Sequence, residues 1–477
     1  MSSQKKISSE GSGSDVQERS SWSGKWGFIL AAAASAVGLG NLWRFPYLAA
    51  KYGGGAFLLV YLVLVITFGF ALMMGETALG RMTGLSTIGA FKQFGKKFAF
   101  IGVLASLVPF IITPYYCIIG GWVSKYMVSY LTTPADVIAG DKYFTGFILN
   151  NPMTYAWLLF FLACAFIVVG LGVQKGIERA NKVLMPTLIG LSIVISIYSL
   201  TLPGALDGLA YYLIPDFSKM SVNLVVAAMG QMFFSLSLAM GIMVTYGSYL
   251  DRKTDLEQSV RRIEVFDTGI AFLAGLMIIP ATFSVTGSAE GVATKAGPGL
   301  MFGVLPKVFE TFGFMGRVMG FLFFALVFFA ALTSAISLFE TCVSIVQDMT
   351  HKSRGFALVT SGVLITLVGI FVNMGYNIGL GWDPMHSIFG FGEYQDFQML
   401  DFFDFISNTV LMPIVALLTC IFIGFIVKPQ KFIDSVRESS DFKGAKLFSV
   451  MIRYIAPICL VLIFVFYILN TMGIVAL

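Results

Sequence analysis

Five ionisable residues stand inside long apolar stretches of the sequence: Arg44, Glu76, Asp267, Glu340 and Asp404. A charged side chain at bilayer depth is costly unless it has a partner, so each predicts a role in binding an ion or a charged substrate. For Glu340 and Asp404 an alternative stays open, because both stand near the end of their stretch, where a side chain can reach water.

Two apolar stretches are interrupted by small and polar residues. The first contains Gly38, Gly40 and Asn41, and the second contains Ser235 to Ser237 followed by Gly241. Such residues weaken a helix, and unwound backbone inside a membrane must face protein, ions or a cavity. Close helix packing is the alternative for the glycines, and bonding back to their own helix is the alternative for the serines.

The elements that position these residues are apolar stretches long enough to cross a bilayer, which takes roughly 20 residues. The sequence predicts 11 spans, and its interrupted stretches are the first helices of two five-span halves. Paired interruptions of this kind predict a substrate site near the middle of the membrane. The predicted spans are 26–48, 55–80, 98–130, 153–172, 181–202, 223–249, 264–284, 316–349, 356–374, 401–427 and 449–474.

The segments outside the spans are short. Residues 1–21 are rich in serine and glycine without apolar periodicity, which predicts a disordered tail. A Gly/Pro-rich segment follows the seventh span, and within it Pro306 to Phe312 is predicted to form a short re-entrant or surface helix.

Composition excludes most soluble functions. Of the 477 residues, 57% are hydrophobic and 12% charged, about half the charge of an ordinary soluble domain. The net charge of +5 is too small to predict nucleic-acid binding. The five cysteines stand in apolar stretches, there are two histidines, and no zinc or hydrolase motif occurs, so the sequence predicts no enzyme.

Lysine and arginine distribution predicts the orientation. With the N-terminus inside, 23 of these cations fall on the inner side and seven on the outer side. We therefore expect a multi-pass membrane protein with its N-terminus cytoplasmic and its C-terminus extracytoplasmic.

Three motifs resemble the neurotransmitter:sodium symporter family. They are Ser35-Ala-Val-Gly-Leu-Gly-Asn-Leu-Trp-Arg-Phe-Pro46, Gly53-Gly-Gly-Ala-Phe57 and Gly75-Glu-Thr-Ala-Leu-Gly-Arg81, and the resemblance runs from about Trp22 to Ile474. Eleven spans and short outer loops without a glycosylation sequon are similar to its bacterial amino-acid-transporting branch, which implies a location in the plasma membrane, the bacterial inner membrane. The resemblance implies an all-α polytopic protein with a LeuT-like 5+5 inverted repeat and broken helices 1 and 6. Its parts would be repeats at 22–202 and 223–427 and an additional helix at 449–474.

The resemblance also implies two sodium ions as cofactors. One site would use Ala36, Asn41, Ser235 and the aligned Asp267, together with the substrate carboxylate. The other would use carbonyls of the first helix and hydroxyls of the eighth, namely Ala34, Val37, Ala330, Thr333 and Ser334. Helix–helix hydrogen bonding is the alternative role for Thr333 and Ser334.

Chloride-dependent relatives bind the anion close to the first of these sites. Tyr61, Gln231 and Ser235 match three of the positions used, while Ala271 stands where a serine would be expected. Our hypothesis is that the Asp267 carboxylate replaces chloride and makes transport chloride-independent.

The substrate site implied by the resemblance is apolar, with Tyr116 placed to hydrogen-bond a carboxylate. The flexible side chain of Met240 favours large or varied substrates, so we expect hydrophobic or aromatic L-amino acids. The implied substrate-binding residues are Ser35, Ala36, Gly38, Gly40, Ile112, Tyr116, Phe234, Ser235, Ser237, Met240, Ser334 and Leu338.

Gates follow from the same resemblance. Arg44 and Asp404 would pair across an outer vestibule, with Phe234 and Tyr116 as the lid above the substrate. Arg19 and Asp348 would pair at the inner mouth, near Trp22 and Tyr249. A solvated helix end is the alternative for Asp348.

The sequence thus predicts a sodium-coupled amino-acid symporter working by alternating access without covalent chemistry. A sodium-independent amino-acid exchanger of the same fold is one alternative. From a different class, a membrane amino-acid sensor or receptor would bind the ligand without moving it, and a channel would conduct without saturation. The partners expected are the amino acid, sodium ions and the lipid bilayer, with no nucleic acid, and the oligomeric state is left open.

Overall fold

The computed structural model describes residues 21–293, 297–375 and 399–471, and the secondary structure of these ranges is helical apart from one isolated bridge between Gly54 and Pro215. Arg19, the predicted partner of Asp348, lies outside the described residues, as does nearly all of the predicted tail. The all-helical fold class is confirmed.

Nine helical segments of the described residues are long and apolar enough to cross a bilayer, and the bent pair at the first break makes a tenth span. The predicted sixth span is divided into two shorter helices, so the arrangement is consistent with the predicted number of about 11. We number the segments α1 Lys25–Ala36, α2 Gly40–Lys51, α3 Gly55–Thr83, α4 Lys96–Thr132, α5 Asn151–Gly170, α6 Val173–Leu200, α7 Val222–Ser235, α8 Ile242–Gly247, α9 Leu256–Thr286, α10 Gly313–Thr350, α11 Arg354–Met374, α12 Met399–Val427 and α13 Ala445–Phe466.

Short surface helices lie between the spans. Leu305–Glu310 is the helix expected near Pro306, and it begins one residue earlier than predicted. The others are Thr87–Lys92, Ala135–Ile138, Asp141–Ile148, Ala205–Leu213, Glu290–Ala293 and Pro429–Arg437.

Two spans begin earlier than their apolar composition indicated. The helix α6 begins at Val173 rather than 181, and α9 begins at Leu256 rather than 264. The start of α9 is fixed by its N-cap, because Asp255 Oδ1 accepts a 3.0 Å hydrogen bond from the amide of Gln258. Its polar first two turns continue the helix beyond the apolar stretch, so a criterion based on hydropathy missed them.

The first break separates α1 from α2, and the two helices meet at an angle of 49°. In a continuous helix the amide of Gly38 would donate to the Ala34 carbonyl, but here it donates to Asn41 Oδ1 at 3.0 Å. The next amide, of Leu39, donates to the Tyr116 hydroxyl at 3.2 Å. Side chains therefore satisfy the amides that the break releases.

The second break separates α7 from α8 and carries unusual backbone geometry. Ser237 and Ala239 have positive φ values of 54° and 59°, a region that non-glycine residues rarely occupy. Gly241 follows with a φ of 74°, which glycine adopts without a Cβ penalty. The Ala239 amide donates to Glu76 Oε1 at 2.8 Å, so the buried carboxylate of α3 holds this segment.

The helix α10 is central in the bundle. In its most apolar stretch 83% of the residues are buried, against 33% for α5, α6 and α11. It packs on α1 and α4, whose residues line the sites described below. The peripheral helices instead present leucine, isoleucine and valine on their outer surface, as expected for lipid contact.

Candidate substrate and ion sites

A small cavity lies between the two helix breaks, beside α4 and α10. Its volume is about 30 Å³. All twelve predicted substrate residues line it, together with Leu39, Asn41 and Ile242. The structure therefore brings the whole predicted set to one place, although the cavity holds only about two water molecules at its present size.

The two breaks contact each other directly across this cavity. Ser237 donates to the Ser35 carbonyl at 3.1 Å, and Gln231 Nε2 donates to the Gly40 carbonyl at 3.0 Å. The Ser35 hydroxyl lies 2.7 Å from that of Ser337 on α10. Hydroxyl and amide groups thus satisfy backbone that would otherwise be unpaired inside a membrane.

Two glycines let the first break approach its neighbours closely. A Cβ on Gly38 would lie 2.6 Å from Ser334 Oγ and 2.8 Å from the Tyr116 hydroxyl. A Cβ on Gly40 would lie 2.6 Å from Phe234 Cδ1. The Leu39 amide at the break and the hydroxyl of Tyr116 face each other here, and both are donors that suit a carboxylate.

A buried carboxylate, Asp267, is the centre of the first predicted ion site. Asn41 Nδ2 donates to Asp267 Oδ1 at 2.7 Å and to Ser235 Oγ at 2.9 Å. Ser235 lies 2.9 Å from Oδ1 and 3.0 Å from Oδ2 of the same carboxylate. Three of the four predicted ligands therefore form one hydrogen-bonded cluster, and Ala36 lies in the adjoining cavity wall.

The same carboxylate reaches one of the residues that match the chloride ligands of relatives. The Tyr61 hydroxyl donates to Asp267 Oδ2 at 3.3 Å, and Tyr61 and Asp267 are both fully buried. Ala271, one turn further along α9, is also fully buried and supplies no hydroxyl. A fixed negative charge thus contacts the serine and tyrosine matched to the chloride site.

The second predicted ion site lies where α1 ends against α10. Ser334 Oγ contacts the carbonyls of Val37 at 3.2 Å and Ser35 at 3.1 Å. Thr333 Oγ1 contacts the Ala330 carbonyl at 3.0 Å. A helix end and two hydroxyls supply neutral oxygens, the ligands that a hard cation accepts.

These ion sites use few charged groups. Among the described residues, no three His, Cys, Asp or Glu side chains cluster as they would around a transition metal. The arrangement of carbonyls, hydroxyls and one carboxylate suits a monovalent hard cation better than zinc.

A larger cavity of about 440 Å³ adjoins the small one on the side predicted to be the outer one, and we call it the outer cavity. Arg44 and Asp404 both line it, and Phe234 and Tyr116 line both cavities and so separate them. The Arg44 guanidinium carbon lies 5.5 Å from the centre of the Phe234 ring. The four residues predicted to form the outer gate therefore all line the larger cavity, and two of them form its boundary with the small cavity.

Asp404 has two partners that sequence reasoning missed. The Tyr115 hydroxyl donates to its Oδ1 at 3.0 Å, and Asn408 Nδ2 donates to the same atom at 2.5 Å. Asn408 follows Asp404 by one turn within a π-helical segment, Phe405–Leu411. A tyrosine and an asparagine in apolar helices gave no separate signal in the sequence.

Aromatic contacts close the side of the bundle that the sequence predicts to be the inner mouth. Trp22 Nε1 donates to the Tyr246 carbonyl at 3.1 Å, and its ring packs edge-on against Tyr249 with 5.9 Å between centroids. Trp22 is 7% exposed. Asp348 Oδ2 accepts a 2.7 Å hydrogen bond from the Ser86 amide, so it holds the loop before the Thr87–Lys92 helix.

A buried ion pair beside this closure was only half predicted. Glu340 is fully buried, and Arg354 contacts its two carboxylate oxygens at 2.9 and 2.5 Å. The Tyr249 hydroxyl donates to Glu340 Oε1 at 2.8 Å. The alternative that Glu340 reaches water from a helix end is wrong, because Arg354, which the sequence analysis counted among the loop cations, covers its carboxylate.

Comparison with known proteins places the chain among sodium-dependent transporters. A profile of the sodium:neurotransmitter symporter family matches residues 19–143 and 148–475. An uncharacterized sodium-dependent transporter of Bacillus subtilis, YhdH, is 36% identical over 95% of this chain and 98% of its own length. The sodium- and chloride-dependent GABA transporter 2 of Rattus norvegicus is 25% identical over 93% of this chain and 79% of its own length.

A solved structure is similar over nearly the whole chain. It is the crystal structure of MhsT in complex with L-phenylalanine, which matches with a TM-score of 0.81 and 37% identity. The match covers 94% of this chain and 99% of the other.

Proposed function

We propose that this chain, which belongs to the sodium:neurotransmitter symporter family and is a sodium-coupled transporter rather than an enzyme, carries hydrophobic and aromatic L-amino acids. The observation that carries the proposal is the cavity between the two helix breaks, lined by all twelve predicted substrate residues. The phenylalanine complex of the similar MhsT supports the same substrate class.

The amino acid would bind with its carboxylate towards the first break. The amide of Leu39 and the hydroxyl of Tyr116 already contact each other at 3.2 Å, and a carboxylate can accept from both. Its side chain would lie against Ile112, Met240 and Leu338, which offer no polar atom able to donate a hydrogen bond. An apolar substrate side chain therefore leaves no polar group unpaired.

The cavity must expand to accept such a substrate. Phe234 and Met240 line it, and methionine has three rotatable bonds with which to adapt. Phe234 also borders the outer cavity, so its rotation would join the two spaces. Substrate entry from the outer side and enlargement of the site would then be one movement.

We propose two sodium ions for each transport cycle. The first would bind beside Asp267, Asn41 and Ser235 and would touch the substrate carboxylate. The second would bind between α1 and α10 at Val37, Thr333 and Ser334. Because the first ion would meet ligands from α2, α7 and α9, its binding would favour the arrangement in which those helices stay together.

Asn41 must reorient when the first ion binds. Its amide nitrogen now faces Asp267 and Ser235, whereas a cation needs an oxygen in that direction. Turning the side-chain amide group of Asn41 by about 180° would present its Oδ1 to the ion. The same turn would break the hydrogen bond that the Gly38 backbone N–H now donates to Oδ1. Ion binding would thus free a backbone donor beside the substrate site.

Chloride independence is the second part of the proposal. The Asp267 carboxylate is hydrogen-bonded by Tyr61 and Ser235, which match chloride ligands of relatives, and Ala271 lacks the further hydroxyl. Two anions beside each other would repel strongly in a buried site. The carboxylate therefore supplies the negative charge next to the sodium ions permanently.

The orientation follows from the distribution of cations. We propose a cytoplasmic N-terminus and an extracytoplasmic C-terminus in a bacterial inner membrane, because 23 lysines and arginines fall on one side and seven on the other. The cavity bordered by Arg44 and Asp404 then opens towards the outside, and Trp22 closes the cytoplasmic side.

Uptake into proteoliposomes tests the proposal. Labelled phenylalanine, leucine, tryptophan, tyrosine and alanine would be supplied with sodium or choline outside, and with chloride or gluconate. We expect accumulation of the larger substrates that requires sodium and continues in gluconate. Accumulation in choline would show a sodium-independent exchanger, binding without accumulation would show a receptor, and uptake abolished by gluconate would overturn chloride independence.

A further inference from the structure

A second cavity of about 440 Å³ lies on the outer surface of the bundle, between α5 and α11. Nine of the ten residues that line this α5–α11 groove are apolar. The exception is Thr366, whose hydroxyl donates to the Gly362 carbonyl of its own helix at 2.7 Å. The groove therefore offers no free side-chain donor along its length.

Small residues make the groove concave. Ala163 and Gly362 lie between larger neighbours, and Leu162 is only 6% exposed. The rim is formed by side chains that point away from the bundle, such as Ile167 at 62% and Leu367 at 61% exposure. Such a shape accepts a narrow flexible chain between two apolar walls.

The length of the groove along α5 is close to the hydrocarbon thickness of one bilayer leaflet. Its residues on α5 run from Leu159 to Ile167, which is about 12 Å at the helical rise per residue. The α5 helix ends soon afterwards at Gly170, and α11 begins at Arg354. The groove thus runs from near the middle of the membrane towards the side that carries the most lysine and arginine.

One lysine stands at that end of the groove. Lys352 lies in the loop two residues before α11 begins, and its ammonium lies 4.2 Å from the centre of the Phe356 ring. Phe356 is 41% exposed and precedes the groove residue Val359 by three positions, about one helical turn, so it continues the groove face of α11. Among the described residues no carboxylate pairs with Lys352, whereas the neighbouring Arg354 is already bound to Glu340 and the Val169 carbonyl.

We propose that the α5–α11 groove binds one acyl chain of an anionic phospholipid whose headgroup phosphate contacts Lys352. An acyl chain by itself gains little by leaving other lipids for an apolar groove, because both surroundings are apolar. Selectivity must therefore come from the headgroup, and a lysine near the membrane surface attracts an anionic one. In the proposed orientation this lipid belongs to the cytoplasmic leaflet.

A bound lipid here would act on the inner closure. The helix α11 carries Arg354 in its first turn, and Arg354 holds the buried Glu340 of the central helix α10. A chain filling the groove would fix α11 against α5 and so support that ion pair. We therefore expect the lipid to raise the unfolding temperature of the protein as well as to bind.

Native mass spectrometry of the full-length protein in detergent tests the proposal. The protein would be titrated with equal amounts of phosphatidylglycerol and phosphatidylcholine of matched chains. We expect one phosphatidylglycerol to be retained in preference. Lys352→Gln should lower that preference about fivefold, the effect of about one cationic contact.

A groove-filling variant separates the groove from the general lipid belt. Ala163 is exposed, so Ala163→Phe can fill the groove from the lipid side without disturbing the core. It should abolish the retained lipid and the thermal stabilisation by phosphatidylglycerol. The matched control is Val194→Phe on α6, a position 49% exposed and away from the groove, which should retain both.

Three results would overturn the proposal. The first is equal retention of the two lipids by the wild type, and the second is unchanged retention of phosphatidylglycerol by Ala163→Phe. The third is loss of a dimer in Ala163→Phe while its lipid binding is unchanged, which would show that a second copy covers the groove. The experiment does not involve transport, so failure of the proposed transport function would leave its outcome unaffected.

Discussion

Asn41 and Asp267, 226 residues apart in the chain, meet in a 2.7 Å hydrogen bond between amide Nδ2 and carboxylate Oδ1. This contact joins the broken first span to α9 inside the bundle, where both side chains are fully buried. A buried carboxylate is stable only with donors or a cation around it. The relationship therefore couples the charge of α9 to the shape of the first helix break.

Asp267→Asn should impair sodium binding more than folding. The substitution keeps the size of the side chain but removes the negative charge beside the proposed ion, so we expect the sodium concentration for half-maximal uptake to rise at least about tenfold. Sodium titration of phenylalanine uptake measures this.

The control for that variant is Glu264→Gln. Glu264 is a second buried acid on the same helix, but none of its described contacts is with Asn41 or Ser235. Glu264→Gln should leave the sodium concentration for half-maximal uptake unchanged.

Adding Ala271→Ser to Asp267→Asn should restore uptake only when chloride is present. Uptake that is insensitive to chloride in the double variant would contradict the hypothesis that Asp267 replaces chloride.

Thr333→Val should weaken the second ion site. The change replaces a hydroxyl by a methyl group of similar size, so the helix keeps its packing while one cation ligand is lost. We expect sodium-dependent uptake to fall about tenfold or more at low sodium. Thr187→Val is the matched control, because that hydroxyl also bonds to its own helix, at the Val183 carbonyl, but on an exposed surface.

Gly38→Ala should abolish substrate binding without unfolding the protein. The new Cβ would lie 2.6 Å from Ser334 Oγ and 2.8 Å from the Tyr116 hydroxyl, in the space where we propose that the substrate carboxylate binds. Gly190→Ala is the control, because no atom lies within 4 Å of its Cβ position. Binding of labelled phenylalanine near the wild-type level in Gly38→Ala would argue against the assigned site.

Asp404→Asn should open the outer gate. Removing the charge weakens the attraction to Arg44 across the outer cavity, so a cysteine introduced at Ile119 in the cavity wall should be labelled about three- to tenfold faster. Asp401→Asn, which changes an exposed acid of the same cavity, serves as the control. Equal labelling rates in both variants would show that Asp404 does not gate the cavity.

Glu340→Gln should destabilise the inner side. Breaking a buried ion pair leaves the other charge uncompensated, and with Arg354 at 23% exposure we expect a loss near the low end of such cases, about 3 kcal/mol. Thermal unfolding in detergent would record it, and Glu340→Gln combined with Arg354→Gln should recover part of the loss. Lys307→Ala removes an exposed pair with Asp141 and should cause no measurable shift.

Sequence patterns were sufficient for the spans and for the positions of both helix breaks. Long apolar stretches report membrane crossing directly, and glycine, asparagine and serine at their centres report where a helix cannot continue. The lining of the central cavity followed from the resemblance carried by the motif around Gly38 and Asn41. The roles assigned to those residues stay predictions.

Partner choice could not be predicted in the same way. Arg354 was counted as a loop cation, since nothing in its neighbours shows that it folds back onto Glu340. Tyr115 stands in an apolar helix, and only the approach of α4 to α12 makes it a partner of Asp404. Asn408 is one turn from Asp404 on the same helix, but its type and place in an apolar stretch did not mark it as a partner. The early start of α9 escaped detection for a different reason, because its first turns are helical but polar.

The division of the sixth span also bears on how the protein enters the membrane during synthesis. The helix α7 has 14 residues and α8 has six, and neither reaches the roughly 20 residues of a self-sufficient span. The polar segment between them needs the Glu76 carboxylate of α3 to satisfy the Ala239 amide. We therefore expect insertion of this span to need α3 in place, so that a substitution at Glu76 lowers the yield of correctly inserted protein before any transport step is reached.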